Sequence, residues 1–213
     1  MTRAQRLVCV VDDDFSTRTA VGRLLESEDY YVETFAGAQE FLARVPHTGA
    51  ACVILDLNMP ELNGLELQGA LAKMGRTEQV IFITGGGSVP TCLQAMKAGA
   101  VDYLQKPFRD DDLLDCVERA LERSSEQWLR RVQRKDVRDR LATLTPREFD
   151  VLKGVVAGKL NKQIAAQFGT TEGTIKVHRG RVMEKMEATS VAELVILAQR
   201  AGIAPIPDES SDQ

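Results

Sequence analysis

The stretch Leu7-Val8-Cys9-Val10-Val11-Asp12-Asp13-Asp14 runs five apolar residues straight into three acids. Three later runs repeat the form. Cys52-Val53-Ile54-Leu55 ends at Asp56, Val80-Ile81-Phe82-Ile83 ends at Thr84, and Val101-Asp102-Tyr103-Leu104 leads to Lys106-Pro107. Tyr31-Val32-Glu33-Thr34-Phe35 is one more strand-like run. Between the runs, apolar residues fall at helical spacing: Val21, Leu24 and Leu25; Phe41, Leu42 and Val45; Leu65 to Met74; and a segment opened by Pro90. Ser16 is the expected cap of the first helix, and a last helix starts after Asp110. Strand and helix alternating five times predict an α/β fold, a five-stranded parallel doubly wound sheet. Ligands of such a sheet bind beyond the carboxyl ends of the strands. Asp12, Asp13, Asp56, Thr84 and Lys106 all fall there, so residues distant in sequence converge on one edge.

The chain has 213 residues, 44% of them hydrophobic, which suits one or two packed domains. Its four cysteines show no metal-like pairing and read as reduced, buried thiols of a cytoplasmic protein. Asp12 to Asp14 cut the first apolar run too short for a signal peptide, and no stretch reaches membrane-span length. Charge is uneven. Residues 1–112 hold 10 Lys/Arg against 16 Asp/Glu, while residues 143–206 hold 9 against 6. An acidic first domain and a mildly basic second one suit a nucleic-acid contact at the C-terminal end.

Residues 113–142 read as one helix, with Leu114, Val117, Leu121, Trp128 and Val132 at 3-4 spacing and Ser124 or Ser125 weakening the seam. After Val132 the stripe fails. Such a helix either pairs with a second copy or serves as a solvated linker whose few apolar residues dock on either domain. Residues 143–203 read as four short helices. Thr145 with Glu148 and Ser190 with Glu193 form capping boxes, Asn161 and Thr171 are expected N-caps, and Gly169 breaks the chain between two helices. Two helices joined at a tight glycine turn are the helix-turn-helix pattern. The domains expected are 1–123, a helical linker 124–142, an all-α four-helix domain 143–203, and a disordered tail 204–213.

Carboxylates, a hydroxyl and an ammonium at one strand edge make a phosphoryl site. Hard cations such as Mg²⁺ take oxygen ligands. Asp13 and Asp56 offer carboxylates, Asp12 can hold a water ligand, and a cation relieves their mutual repulsion, as Lys106 does. Asp56 is the expected nucleophile, giving an acyl phosphate, with charge on the phosphoryl oxygens neutralised by Mg²⁺ and Lys106. Thr84 can turn its hydroxyl toward the new group, and Tyr103 can rotate as Thr84 moves. Each residue alone has a bland reading: a strand-end turn, a helix cap, a surface lysine. Their placement at successive strand ends favours the site.

Residues 6–123 resemble the receiver domain of bacterial response regulators. The resemblance rests on Val10-Val11-Asp12-Asp13-Asp14, on Asp56-Leu57-Asn58-Met59-Pro60 with Gly64, on Ile83-Thr84-Gly85, and on Lys97 through Phe108. It implies that Asp56 is the phosphoacceptor, that Mg²⁺ (or Mn²⁺) binds Asp13, Asp56 and the backbone carbonyl of Asn58 with Asp12 acting through water, and that Thr84 and Tyr103 are a switch pair. It also implies a cis Lys106-Pro107 bond. Gly85 to Pro90 resembles the NarL/FixJ branch, where the extra glycines loosen the loop.

Residues 143–203 resemble the LuxR-type DNA-binding module through Leu144-Thr145, Arg147-Glu148, Gly158, Asn161-Lys162, Ile164-Ala165, Thr174-Ile175-Lys176-Val177-His178 and Lys185-Met186. Ile175, Val182 and Met186 are expected to face inward. Lys176, Val177 and Gly180 share another face, which enters the major groove beside Thr174. Arg179, Arg181, Lys185 and Lys162 suit phosphates. Gly180 stands where the family often carries a longer residue. His178 reads as packed rather than metal-binding. The whole chain then reads as a two-component transcription factor. A sensor histidine kinase phosphorylates it, a face around Met96, Lys97 and Asp102 changes, and a homodimer binds double-stranded DNA. The competing readings are a phosphatase and a phospho-dependent protein binder. Asn58 occupies the position where such phosphatases place a second carboxylate, so turnover of an external substrate is not expected.

Overall fold

The computed structural model describes residues 6–86 and 89–203. The tail expected to be disordered, and part of the glycine loop after Thr84, lie outside the described residues. The chain divides into two compact units, Met1–Leu129 and Arg130–Gln213.

In the first unit, β1 (Leu7–Val11), β2 (Tyr31–Phe35), β3 (Ala51–Asp56), β4 (Gln79–Thr84) and β5 (Asp102–Gln105) form one parallel sheet in the order β2-β1-β3-β4-β5. β1 is an interior strand and pairs with both β2 (Val8 with Val32) and β3 (Val10 with Ile54). β1, β3 and β4 are almost wholly apolar because helices cover both of their faces. Alternate residues enter opposite layers. Cys9, Val11, Val53, Leu55 and Phe82 meet Phe41 and Leu67 on one side. Val8, Val10, Ile54, Ile81 and Ile83 meet Leu25, Leu113, Val117 and Leu121 on the other.

The helices are α1 (Phe15–Ser27), α2 (Ala38–Ala43), α3 (Gly64–Lys73), α4 (Val89–Lys97) and α5 (Asp110–Ala142). α1 begins one residue before Ser16. Its N-cap is Asp14, whose carboxylate accepts from the Ser16 and Thr17 amides. A charged acceptor at the positive end of the helix wins over a serine hydroxyl. α3 starts on Gly64, where a Cβ would come 2.6 Å from the Asp56 carbonyl oxygen, so only glycine lets α3 start against the end of β3.

α5 is continuous, as its sequence predicts, but its apolar residues do not form one seam. Leu113, Val117, Leu121 and Ser124 are buried in the first unit. Trp128 is half-buried, while Leu129 and Val132 are exposed. Val137 is buried in the second unit, with Leu141 packed against it, so apolar packing resumes past Val132. The Ser124 hydroxyl accepts from the Ala51 amide at 2.9 Å, a buried tie to the first residue of β3. The unit division at 129/130 falls inside the stretch expected as linker.

The second unit holds α6 (Pro146–Val156), α7 (Asn161–Phe168), α8 (Glu172–Lys185) and α9 (Val191–Arg200). Their core includes Val151, Leu152, Ile164, Ile175, Val182, Met186 and Leu194. Thr145 and Glu148 make the expected capping box. Thr171 caps α8 as expected, accepting from the Thr174 amide, and Ser190 caps α9, but two details differ. α7 is capped at Leu160, whose amide donates to Gln163 Oε1, and Asn161 is the first residue of the helix proper. Ser190 accepts from the Glu193 amide, but the Glu193 carboxylate returns to Thr189 rather than closing a box on Ser190. Gly169 ends α7 at φ +62.

Candidate phosphoryl site and nucleic-acid face

Parallel register brings the ends of β1, β3, β4 and β5 to one edge. Lys106 Nζ donates to Asp12 Oδ2 at 2.7 Å and to Asp56 Oδ1 at 2.8 Å. Asp12 and Thr84 are fully buried and Asp56 is 6% exposed, whereas Asp13 is exposed. The Lys106 amide donates to the Thr84 carbonyl at 2.7 Å, and Lys106-Pro107 is cis. Asp12 Oδ1 accepts from the Asp14 amide at 2.8 Å, and Asp56 Oδ2 accepts from the Asn58 amide at 2.7 Å.

One ammonium therefore serves two buried carboxylates with a third beside them. Burial lifts Asp12 above the ordinary carboxylate range, although Lys106 and the Asp14 amide pull it down. Burial depresses Lys106, but its bonds to Asp12 and Asp56 outweigh that and the net displacement is upward. Among the described residues no three His, Cys, Asp or Glu side chains are grouped to hold a metal. The expected set does not need three. It draws on two carboxylates, the Asn58 carbonyl and water, all oxygen donors that suit a hard cation.

The Thr84 hydroxyl accepts from Asn58 Nδ2 and from the Gly86 amide, both at 3.3 Å, so it is held toward the site's rim. The Asn58 side chain is a partner that the sequence reading missed, because only its backbone carbonyl had a role there. Tyr103 points its hydroxyl inward. The oxygen is buried beside Thr84 without a well-formed hydrogen bond. On the expected dimer face, Met96 and Lys97 are exposed. Asp102 is instead engaged by α5, accepting from the Arg119 guanidinium and, at 3.3 Å, from the Cys116 thiol. Its carboxylate is bound within the unit, with its side chain 34% exposed. The four cysteines are unpaired. Cys9, Cys52 and Cys116 are buried, but Cys92 is only partly so.

In the second unit Ile175, Val182 and Met186 are fully buried, and Thr174, Lys176, Val177, Gly180 and Arg181 are exposed on α8, with Lys162 exposed on α7. Two cations expected on phosphates are engaged within the fold. Lys185 Nζ donates to buried Glu148 Oε2 at 2.6 Å and to the Thr143 carbonyl at 3.0 Å. Arg179 Nη1 donates to Asn161 Oδ1 at 2.9 Å, tying α8 to the start of α7. Arg147 stacks on Phe168 at 4.3 Å and donates to its carbonyl, closing the end of α7. His178 is half-buried, with Nδ1 unpartnered.

The comparisons with known proteins cover both units. Residues 8–118 match the family model of the response regulator receiver domain, and residues 142–198 that of bacterial regulatory proteins of the luxR family. The chain is 42% identical over 200 residues to nodulation protein W of Bradyrhizobium diazoefficiens, covering 93% of this chain and 87% of that protein. It is 40% identical over 196 residues to the transcriptional regulatory protein FixJ of the same organism, covering 92% and 96%. The solved structure of the response regulator StyR is 40% identical, with a TM-score of 0.83 over 92% of this chain and 98% of that one.

Proposed function

This chain belongs to the response regulators of the FixJ type, which join a receiver domain to a LuxR-type DNA-binding domain, and on that premise we propose that Asp56 is its phosphoacceptor. The donor is a phosphohistidine of a sensor histidine kinase. An Asp56 carboxylate oxygen bonds to phosphorus as the phosphorus–nitrogen bond breaks, and the imidazole leaves with the electron pair and takes up a proton.

The observation that carries this reading is the placement of Lys106 Nζ between Asp12 and Asp56, within 2.8 Å of each. An ammonium so placed can stay on Asp12 while turning toward a phosphoryl oxygen on Asp56. Asp13, Asp56 and the Asn58 carbonyl are the ligands for Mg²⁺, or Mn²⁺ in its place, with Asp12 holding a water. The bound ion supplies neutralisation of charge on the phosphoryl oxygens. Thr84 then leaves Asn58 and Gly86 for the phosphoryl group, and Tyr103 holds the space behind it. The α4–β5 face with Met96 and Lys97 is where a second copy pairs. Pairing sets two α8 helices on adjacent half-sites of double-stranded DNA, where Lys176 and Val177 meet base edges and Arg181 and Lys162 meet phosphates. No external substrate is turned over. No described helix is long and apolar enough to cross a membrane, and the cytoplasm is the compartment where kinase output and DNA meet.

The test is intact mass and light scattering with Mg²⁺ and acetyl phosphate. The wild type gains one phosphoryl group and moves from the 23.5 kDa monomer toward a dimer. Asp56→Asn gains none and stays as it was. A phosphorylated Asp56→Asn would place the acceptor elsewhere.

A further inference from the structure

Gly180 is an exposed residue in the interior of α8, and nothing in the folded chain asks for a glycine there. A Cβ built on it meets no atom within 4 Å, and its backbone is ordinary right-handed helix. Two other helical glycines are accounted for by their neighbours, whereas Gly69 in α3 is as open as Gly180. Gly64 abuts the Asp56 carbonyl, and a Cβ on Gly154 would come 2.9 Å from the Ile164 side chain. Inside a helix glycine is less favourable than alanine, so Gly180 weakens α8 with no compensation within the protein. What sets Gly180 apart from Gly69 is its place on α8, beside exposed Lys176 and Val177.

Val177 stands three positions earlier on the same face and is the one large apolar residue that α8 exposes, at 56%. The Val177 methyls and the bare Cα of Gly180 together make an apolar notch the depth of one methyl. Arg179 and Lys185 are engaged by Asn161 and Glu148. Long polar readers on α8 are therefore few, and apolar contact gains weight. In the major groove the apolar feature that distinguishes one base is the C5-methyl of thymine. We infer that Gly180 is a specificity-determining position, and that it and Val177 receive one thymine methyl in each half-site. The inference rests on the reading of α8 as the helix that enters DNA. A side chain at position 180 fills the notch and lifts the helix off the base edges.

The experiment uses the full chain with beryllofluoride and Mg²⁺ to enrich duplexes from a random-sequence pool. Each thymine of the enriched site is replaced singly by uracil, which lacks only the methyl, and affinity is read by fluorescence anisotropy. For the wild type, one thymine per half-site should cost about fourfold when it becomes uracil, the worth of one buried methyl. Gly180→Ala should bind the thymine duplex about tenfold more weakly, show no thymine–uracil difference at that position, and melt no lower than the wild type. Lys162→Ala should weaken every duplex alike and keep the difference. The inference is overturned if no thymine shows a penalty, or if the penalty survives in Gly180→Ala. If the wild type enriches no sequence and its binding ignores salt, the DNA reading of the unit fails and takes this inference with it.

Discussion

Each unit of the molecule contains a lysine paired with a buried carboxylate, and the two pairs do different work. Lys185 serves one acid. Glu148 accepts from Lys185 and from the Thr145 amide, and these bonds hold its carboxyl down at about 2. Lys106 serves two buried acids with a third at the rim, and Asp12 is displaced upward by burial. The chemistry of the contacts is the same. What differs is the count of cations against carboxylates. The Lys185 pair is complete and locks a capping box to α8. The Lys106 cluster is short of positive charge and has room for more. An ion pair by itself therefore says little about function, and a shortage of cations at a strand end says a good deal.

Lys106→Met is the strongest way to break the contrast. It should slow phosphorylation of Asp56 on the order of 100-fold, as loss of a positioned charge at the transferring group does, while the protection of α6 and α8 amides stays unchanged. Quenched-flow labelling with acetyl phosphate reads the first effect and hydrogen exchange the second. Lys185→Met should do the reverse. It leaves Glu148 buried beside no cation and destabilises the second unit by about 3 kcal/mol, with the phosphorylation rate intact. Equal loss of phosphorylation in both variants would erase the distinction.

A smaller effect sharpens it. Glu148 has a folded value of about 2 against an ordinary 4.5, so its contribution is fully present above pH 4.5 and fades as pH falls toward 2. The second unit should lose roughly 2 kcal/mol over that window, less than full linkage because Lys185 is one-third exposed. Lys185→Met should flatten that dependence, and amide protection factors measured in α6 at several pH values check both.

The sheet and the pocket were legible because they rest on signals of one kind. Apolar runs of four or five residues ending on Asp12, Asp56, Thr84 and Lys106 leave little choice of topology. The caps were less legible, since several acceptors compete within a few residues. Asp14 takes α1 from Ser16, and Leu160 with Gln163 takes α7 from Asn161, because a side chain chooses among nearby amides by reach and charge. Lys185 and Arg179 look in sequence like any cation of a basic helix. Only packing shows that Glu148 and Asn161 lie beneath them. Asn58 was noticed for its backbone carbonyl and for not being a carboxylate. Its side-chain amide donates to the Thr84 hydroxyl at the end of β4 and to the Gly86 carbonyl beyond it, contacts that no local sequence pattern announces.

The bond from Ser124 to the Ala51 amide joins residues 73 positions apart. Ala51 opens the strand that ends at Asp56, so the start of that strand is pinned by a hydroxyl well downstream of the last strand. Anyone cutting the gene to obtain a free-standing receiver therefore has to cut after Ser124. A fragment stopped at 118, where the family match ends, would lack the hydroxyl that accepts from the amide at the base of the strand ending at Asp56.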